Sequence, residues 1–225
     1  MALALFDLDR TLISVNSGRL WFDRERELGH LTRWQAVRAA AWIGFYHFGF
    51  TRLDDVLKEA IAALEGDEES AIRERSEAFY RSHVHTTYRP LARETVARHL
   101  AAGDTVALLT SSSNYLCAPV QLELNIPHAL CNRFETDAGK FTGRPHGTIC
   151  YGEGKLIHAR EFAESQGQSL SDAVFYTDSI ADLPAMLAVG RPVAVNPDPR
   201  LRRYAAKHGW EITDWGVPAP APKGS

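Results

Sequence analysis

The chain has 225 residues, of which 45% are hydrophobic, and its formal net charge is −3. This length allows one large domain or one domain with a small insertion, and the apolar content favours a folded core over disorder. The small net charge gives no electrostatic case for nucleic-acid binding. Three cysteines without CxxC spacing predict neither a disulfide framework nor a zinc site. The first predicted strand begins next to Met1, which leaves no room for a signal peptide, so we expect a cytoplasmic protein.

The first predicted element is a buried strand at residues 2–6. Two carboxylates with one residue between them follow it. If the backbone stays extended, Asp7 and Asp9 project to the same side. Two like charges in one small volume repel each other unless a cation joins them or one takes a proton. The pattern indicates a nucleophilic or metal-binding carboxylate beside an acid/base carboxylate.

Residues 14–86 contain helical patterns and no convincing strand, which predicts a helical insertion after the first strand. Helices are expected at residues 53–64 and 67–85. Residues 39–50 are nearly all apolar but too few to span a bilayer, which takes about 20 apolar residues. We interpret them as a buried helix of the insertion, with an interfacial membrane contact as the alternative.

The rest of the chain alternates strands and helices, which predicts an α/β fold with a doubly wound, mostly parallel sheet. The predicted strands are residues 105–109, 173–177 and 192–195, and the predicted helices are residues 91–102, 115–124, 154–166, 181–189 and 200–207. The predicted domains are a core at 1–13 and 87–216, a helical cap at 14–86, and a flexible Pro/Ala-rich tail at 217–225.

Four polar signals fall at the carboxyl ends of predicted strands or at the start of the next helix. They are Asp7-Leu8-Asp9-Arg10-Thr11, Thr110 with Ser111, Lys155, and the pair Asp178 and Asp182. Each alone has an ordinary explanation as a cap, turn or solvated residue. Their occurrence together favours catalysis, because ligands of open α/β sheets bind at this edge.

In this order, the motifs resemble those of the haloacid dehalogenase superfamily of phosphohydrolases. The cap position and the phrase Asp178-Ser179-Ile180-Ala181-Asp182 resemble its phosphoserine phosphatase-like branch. The resemblance runs from residue 6 to residue 182. It implies a Rossmann-like α/β core with an inserted cap, and a Mg²⁺-dependent phosphatase with a small-molecule phosphomonoester as its partner, without a membrane span.

The resemblance implies catalytic roles for Asp7, Asp9, Thr110 and Lys155. Asp7 would attack phosphorus to form an aspartyl-phosphate, and Asp9 would protonate the leaving oxygen and then activate water. Thr110 would donate a hydrogen bond to a phosphoryl oxygen, while Lys155 would offset the negative charge.

The resemblance also implies a Mg²⁺ site, since a hard cation must join an anionic phosphate to a carboxylate. Asp7, Asp178 and the backbone carbonyl of Asp9 would be the protein ligands. Asp182 would support them, although direct ligation by its carboxylate is left open.

Four further residues are substrate-binding candidates: Arg10, Thr11, Asn16 and Ser111. Phosphoserine phosphatases of this branch carry an acidic residue where Asn16 stands, and a neutral amide lacks the charge to pair with an ammonium group. This weakens the case for phosphoserine. Histidinol phosphate and an apolar phosphomonoester such as a lysophospholipid stay open.

A phospho-accepting regulator without enzymatic activity is the alternative, because receiver-type proteins cluster similar groups at strand ends. The helical insertion and Asp9 favour the enzyme. A P-loop at Gly152-x-Gly154-Lys155 is excluded, because the spacing is wrong and Leu156 stands where Ser or Thr is needed.

Overall fold

The structure, a computed structural model, describes residues 2–30 and 53–218. Six strands form one parallel sheet in the order β3-β2-β1-β6-β7-β8. The strands are β1 Leu3–Phe6, β2 Thr105–Ser113, β3 His128–Asn132, β6 Val174–Thr177, β7 Arg191–Val195 and β8 Glu211–Thr213. The strand order reverses between β1 and β6, which is the topological switch point of a doubly wound sheet. The predicted fold class is confirmed.

Helices cover both faces of the sheet. They are α4 Pro90–Ala101, α5 Asn114–Leu124, α6 Glu153–Ser165, α7 Leu183–Ala188 and α8 Pro199–His208. The sequence of β1 is continuously apolar because both faces of the strand are buried. Ala4 and Phe6 belong to the core on one face of the sheet, and Leu3 and Leu5 belong to the core on the other.

Between β1 and α4 the described chain forms the helices of the cap. These are α1 Ser17–Glu27, α2 Leu53–Ala62 and α3 Glu69–Phe79, with a π-helical turn at Tyr80–Val84. The chain segments that leave and re-enter the core pair with each other, through a bridge between Ile13 and Tyr88. The predicted apolar helix at 39–50 lies outside the described residues, and the proposed domain boundaries stay a prediction.

An antiparallel hairpin was not predicted from the sequence. It consists of β4 Phe134–Asp137 and β5 Lys140–Pro145. The hairpin contacts the cap closely, since a Cβ atom on Gly143 would lie 3.0 Å from Cβ of Glu65. The core therefore contacts the cap through this hairpin as well as through the two connecting segments.

Within residues 2–30 and 53–218, no helix has the length and apolar content needed to cross a membrane.

Candidate active site

The first and fourth motifs meet at the switch point of the sheet. Asp7 directly follows β1, and Asp178 directly follows β6, the strand beside it. The backbone N–H of Asp7 donates to the carbonyl of Tyr176 across 2.9 Å, which continues the parallel ladder one residue beyond β1. The two carboxylates are thus placed at the crevice where such sheets bind ligands.

Lys155 joins the third motif to this pair of strands. Its Nζ donates to Oδ1 of Asp7 and to Oδ2 of Asp182, each across 2.8 Å, and all three residues are buried. Thr177 donates to the same oxygen of Asp182. Burial alone would lower the pKa of Lys155, but the carboxylates of Asp182 and Asp7 raise it overall, so the ammonium group stays charged.

The glycines before Lys155 have a packing role. A Cβ atom on Gly154 would lie 1.9 Å from the carbonyl oxygen of Ile149, so only glycine lets α6 start this close to the preceding loop. Gly152 has φ +52°, a backbone conformation that favours glycine. These contacts explain the glycine spacing without a phosphate-binding loop.

Burial and negative charge raise two carboxylate pKa values. Burial raises the pKa of Asp7 to about 7 against the opposing attraction of Lys155. Burial, then the charges of Asp7 and Asp182, raise the pKa of Asp178 to about 8. No described residue donates a hydrogen bond to the Asp178 carboxylate. A crevice with this excess of negative charge suits a divalent cation.

The donor set fits Mg²⁺ rather than a metal held entirely by protein. Among the described residues, no three Asp, Glu, His or Cys side chains converge closely enough to hold a metal. Mg²⁺ usually takes one or two carboxylates and completes its shell with water and substrate phosphate. Asp7 and Asp178 fit that pattern.

Asp9 is held by partners different from those of Asp7. Its Oδ1 accepts the backbone N–H of Ser17, the first residue of α1, across 2.7 Å, and Oδ2 lies 3.4 Å from the hydroxyl of Ser112. Burial raises the pKa of Asp9, against the hydrogen bonds from Ser17. The backbone is extended at Asp9 but reverses at Arg10, which has φ +58°. The cap and the core therefore both contact the carboxyl group of Asp9.

The structure places the other predicted residues as follows. Thr110 is buried in the C-terminal half of β2, and its Oγ1 accepts the backbone N–H of Ser112. Thr11 is fully buried and its hydroxyl lies 3.4 Å from Oδ2 of Asp7. Ser111 is half-buried beside Thr110. Thr11 therefore contacts the carboxylate of Asp7, while Thr110 and Ser111 lie in β2, the strand that pairs with β1.

Arg10 and Asn16 lie at the edge of this group. Arg10 is exposed, and its carbonyl accepts a hydrogen bond from Nε of Arg89. Asn16 is exposed and caps α1, because its Oδ1 accepts the N–H of Arg19 across 2.8 Å. Their roles in substrate binding stay a prediction.

Residues 4–187 match the family model of haloacid dehalogenase-like hydrolases. The chain belongs to this family.

Two relatives show the similarity along nearly the whole chain. A protein named phosphoserine phosphatase from Mycobacterium tuberculosis is 33% identical over 96% of this chain and 71% of its own length. A histidinol-phosphatase from Neisseria meningitidis is 29% identical over 95% of this chain and 98% of its own length. The family and its phosphatase class, both predicted from the motifs, are confirmed.

Solved structures agree with the fold. A protein of unknown function from Bordetella pertussis Tohama I has a TM-score of 0.87 at 31% identity, covering 95% of this chain and 98% of that one. A phosphoserine phosphatase solved as a phospho-aspartyl intermediate analogue has a TM-score of 0.68, covering 96% of this chain and 94% of its own. At 19% identity, the second structure shows the fold alone.

In this haloacid dehalogenase-like hydrolase, several supporting residues escaped the sequence analysis. Asp198 accepts the N–H groups of Arg200 and Leu201 at the start of α8, and its other oxygen accepts the N–H of Ile180 in the loop of the fourth motif. The Asp-Pro pair at 198–199 is a recognisable helix-start signal. Ser17 and Asn132 carried no such signal.

Proposed function

We propose that this haloacid dehalogenase-like hydrolase is a Mg²⁺-dependent phosphomonoesterase with Asp7 as its nucleophile. The observation that carries the proposal is the buried Asp7 carboxylate at the switch point, with Oδ1 bound to Lys155. From the described residues, its Oδ2 receives only the long contact from Thr11, so we assign the attack on phosphorus to this oxygen.

The reaction divides into two displacements. In the first, Asp7 forms a bond to phosphorus, the ester P–O bond breaks, and Asp9 gives its proton to the leaving oxygen. In the second, Asp9 takes a proton from water, the water oxygen attacks phosphorus, and the acyl-phosphate bond to Asp7 breaks. The raised pKa of Asp9 suits both proton transfers, because its carboxyl group must be protonated before the first displacement and deprotonated before the second.

Residues from all four motifs would bind the phosphoryl group and the metal. Thr110 and Lys155 would donate to phosphoryl oxygens, where negative charge collects in the transition state. Asp7, Asp178 and the backbone carbonyl of Asp9 would hold Mg²⁺, which when bound neutralises charge between the phosphate and the carboxylates.

We assign Asp182 to holding Lys155 instead of the metal. Its Oδ2 accepts hydrogen bonds from Lys155 and Thr177, so that oxygen already has two donors. These two bonds favour a supporting role for Asp182 over direct ligation of the metal.

For the substrate, we propose a small phosphomonoester of the kind named in the relatives, phosphoserine or histidinol phosphate. Asn16 does not favour the first, because its amide oxygen caps α1 and carries no charge to pair with an amine. The apolar alternative depends on residues 39–50, which lie outside the described residues. A cytoplasmic location stays a prediction.

The test is a kcat/KM panel of phosphomonoesters with Mg²⁺ and with EDTA. It includes phosphoserine, histidinol phosphate, sugar phosphates, nucleotides, a lysophosphatidate and an aryl phosphate. Asp7→Asn should lose turnover by about 10⁴-fold or more with its fold intact, and the exposed Asp172→Asn should keep wild-type rates. A folded wild type that is inert with Mg²⁺ on the whole panel would instead favour the phospho-accepting regulator.

A further inference from the structure

Asn132 lies at the end of β3, and only 3% of the residue is exposed. Its Nδ2 donates to the carbonyl of Ser111 across 2.7 Å, and its Oδ1 accepts the backbone N–H of Cys150 across 2.8 Å. An amide nitrogen only donates and an amide oxygen only accepts, so these two bonds fix one orientation of the side chain. Asn132 thereby connects the end of β2 to the loop before α6, two segments that are distant in the sequence.

The bond to Ser111 compensates for a break in the ladder between β2 and β3. Leu109 pairs with Leu130 and Ser113 pairs with Asn132, so β2 advances by four residues while β3 advances by only two. Residues 110–112 therefore lack regular strand partners, as in a β-bulge, a feature that re-aims side chains beside active sites. Asn132 therefore supplies a side-chain donor at the irregular part of this ladder.

The bond to Cys150 holds the loop that leads into α6. The carbonyl of the adjacent Ile149 occupies the space where a Cβ atom on Gly154 would lie, so this loop and the start of α6 pack against each other. Lys155 is the next residue of that helix. The position of Cys150 therefore affects where the ammonium group of Lys155 reaches.

We propose that Asn132 is a positioning residue that holds the segment of β2 with Thr110 and Ser111 in a fixed relation to Lys155. This inference rests on the proposed phosphatase function, in which Thr110 and Lys155 donate to one phosphoryl group. Misplacing such donors by about 1 Å can lower the rate about 100-fold. These donors stabilise the negative charge that develops in the transition state. Misplacing them should therefore lower kcat and weaken the binding of a transition-state analogue.

The experiment compares Asn132→Leu with the wild type and with Val120→Ala, well below the unfolding temperature of each. Leucine keeps the branched shape of asparagine, although its methyl groups are larger than the amide atoms they replace, and it removes both hydrogen bonds. Val120 is buried in α5, so its truncation serves as a control for general loss of packing. For Asn132→Leu we expect kcat to fall about 100-fold and the Kd of vanadate with Mg²⁺ to rise by a similar factor, with KM changing less.

The outcomes are separable. An inert wild type would count against the proposed function itself. An active wild type, with Asn132→Leu retaining kcat and vanadate affinity and losing only thermal stability as Val120→Ala does, would overturn the positioning role alone. If Asn132→Leu does not fold, Asn132→Ala serves the same comparison, with the same expected loss of kcat and vanadate affinity.

Discussion

The ammonium group of Lys155 lies 2.8 Å from Oδ1 of Asp7, although 148 positions separate the two residues in the sequence. Lys155 also binds Asp182, so one buried cation serves two buried carboxylates. The nucleophile proposed here is therefore oriented by a group from the third motif.

We predict that Lys155→Met lowers the free energy of unfolding by about 3–5 kcal/mol and removes turnover, because it leaves two buried carboxylates without their cation. Urea unfolding and phosphate release measure the two effects. The exposed Lys207→Met makes the same chemical change at the surface and should alter neither. A stable, active Lys155→Met would contradict the arrangement.

We predict that Asp9→Asn slows both formation and breakdown of the phosphoenzyme, each by about 10²–10⁴-fold, because one carboxyl group transfers the proton in both steps. Rapid-quench kinetics separates the two rates. Unchanged rates for both steps would refute the acid/base role of Asp9.

Metal binding has a readout that does not depend on activity. Asp178 is a buried carboxylate near Asp7 and Asp182, whose charges oppose its ionisation. Without divalent ions, Asp178→Asn should raise the melting temperature by about 2–4 °C, since it relieves this repulsion. The same variant should lose the further rise that Mg²⁺ gives the wild type.

Thermal scans with Mg²⁺ and with EDTA check this expectation. Asp172→Asn is the control and should respond to Mg²⁺ as the wild type does. If Asp178→Asn gains as much stability from Mg²⁺ as the wild type, the ion binds elsewhere.

We predict that Gly154→Ala lowers the free energy of unfolding by about 1–3 kcal/mol, because its Cβ atom would overlap the carbonyl oxygen of Ile149. It should also lower kcat, since α6 must shift and Lys155 moves with it. Gly18→Ala is the matched control: its Cβ atom would meet Oδ1 of Asn16 at an ordinary 3.6 Å, inside a helix where alanine is the better residue. Chemical unfolding and kcat of the two variants decide the point.

A pH-dependent prediction concerns Asp104, which lies away from the proposed metal site. Its carboxylate accepts hydrogen bonds from the N–H of Ala2 and from the ring of His99, and these bonds lower its pKa below the usual value of 3.8. Such a group binds fewer protons when folded than when unfolded. Its stabilisation is therefore complete above the unfolded pKa and is lost as the pH falls through the lower, folded pKa.

We expect Asp104→Asn to lower the free energy of unfolding by about 1.5–3 kcal/mol at neutral pH. The difference from the wild type should stay nearly constant down to pH 5 and shrink below the unfolded pKa of about 3.9. Urea titrations at pH 7, 5 and 3.5 measure it. A difference that grows on acidification would show the opposite linkage.

The fold could be predicted where strands are buried on both faces. The continuous apolar runs at β1, β2, β6 and β7 identify a parallel sheet, and the helix limits at α4, α6 and α8 agree with their Pro, Gly and Asp signals. The edge strands β3 and β8 were not predicted, because they are less buried than the central strands and their sequences lack such a run. The hairpin escaped for another reason: its strands pack against the cap instead of joining the main sheet.

The chemistry of the site could be predicted in type but not in detail. The motifs placed Asp7, Asp9 and Asp178 after strands and Lys155 at the start of a helix, and parallel strands bring such positions to one edge of the sheet. The spacing did not indicate that Asp9 binds Ser17 of the cap.

By itself, the sequence determined the class of protein: the strand and helix periods, the order of the motifs and the residue types that phosphoryl transfer needs. The tertiary structure alone decided which group serves which partner. It placed Lys155 between Asp7 and Asp182, and it left the carboxylate of Asp178 without a hydrogen bond from any described residue. It also made Asn132 the link between β2 and the loop before α6. The physical reason is that periodicity and propensity are local properties of the chain. Hydrogen bonds across a crevice depend instead on sub-ångström packing between segments that the sequence separates by 18 to 148 residues.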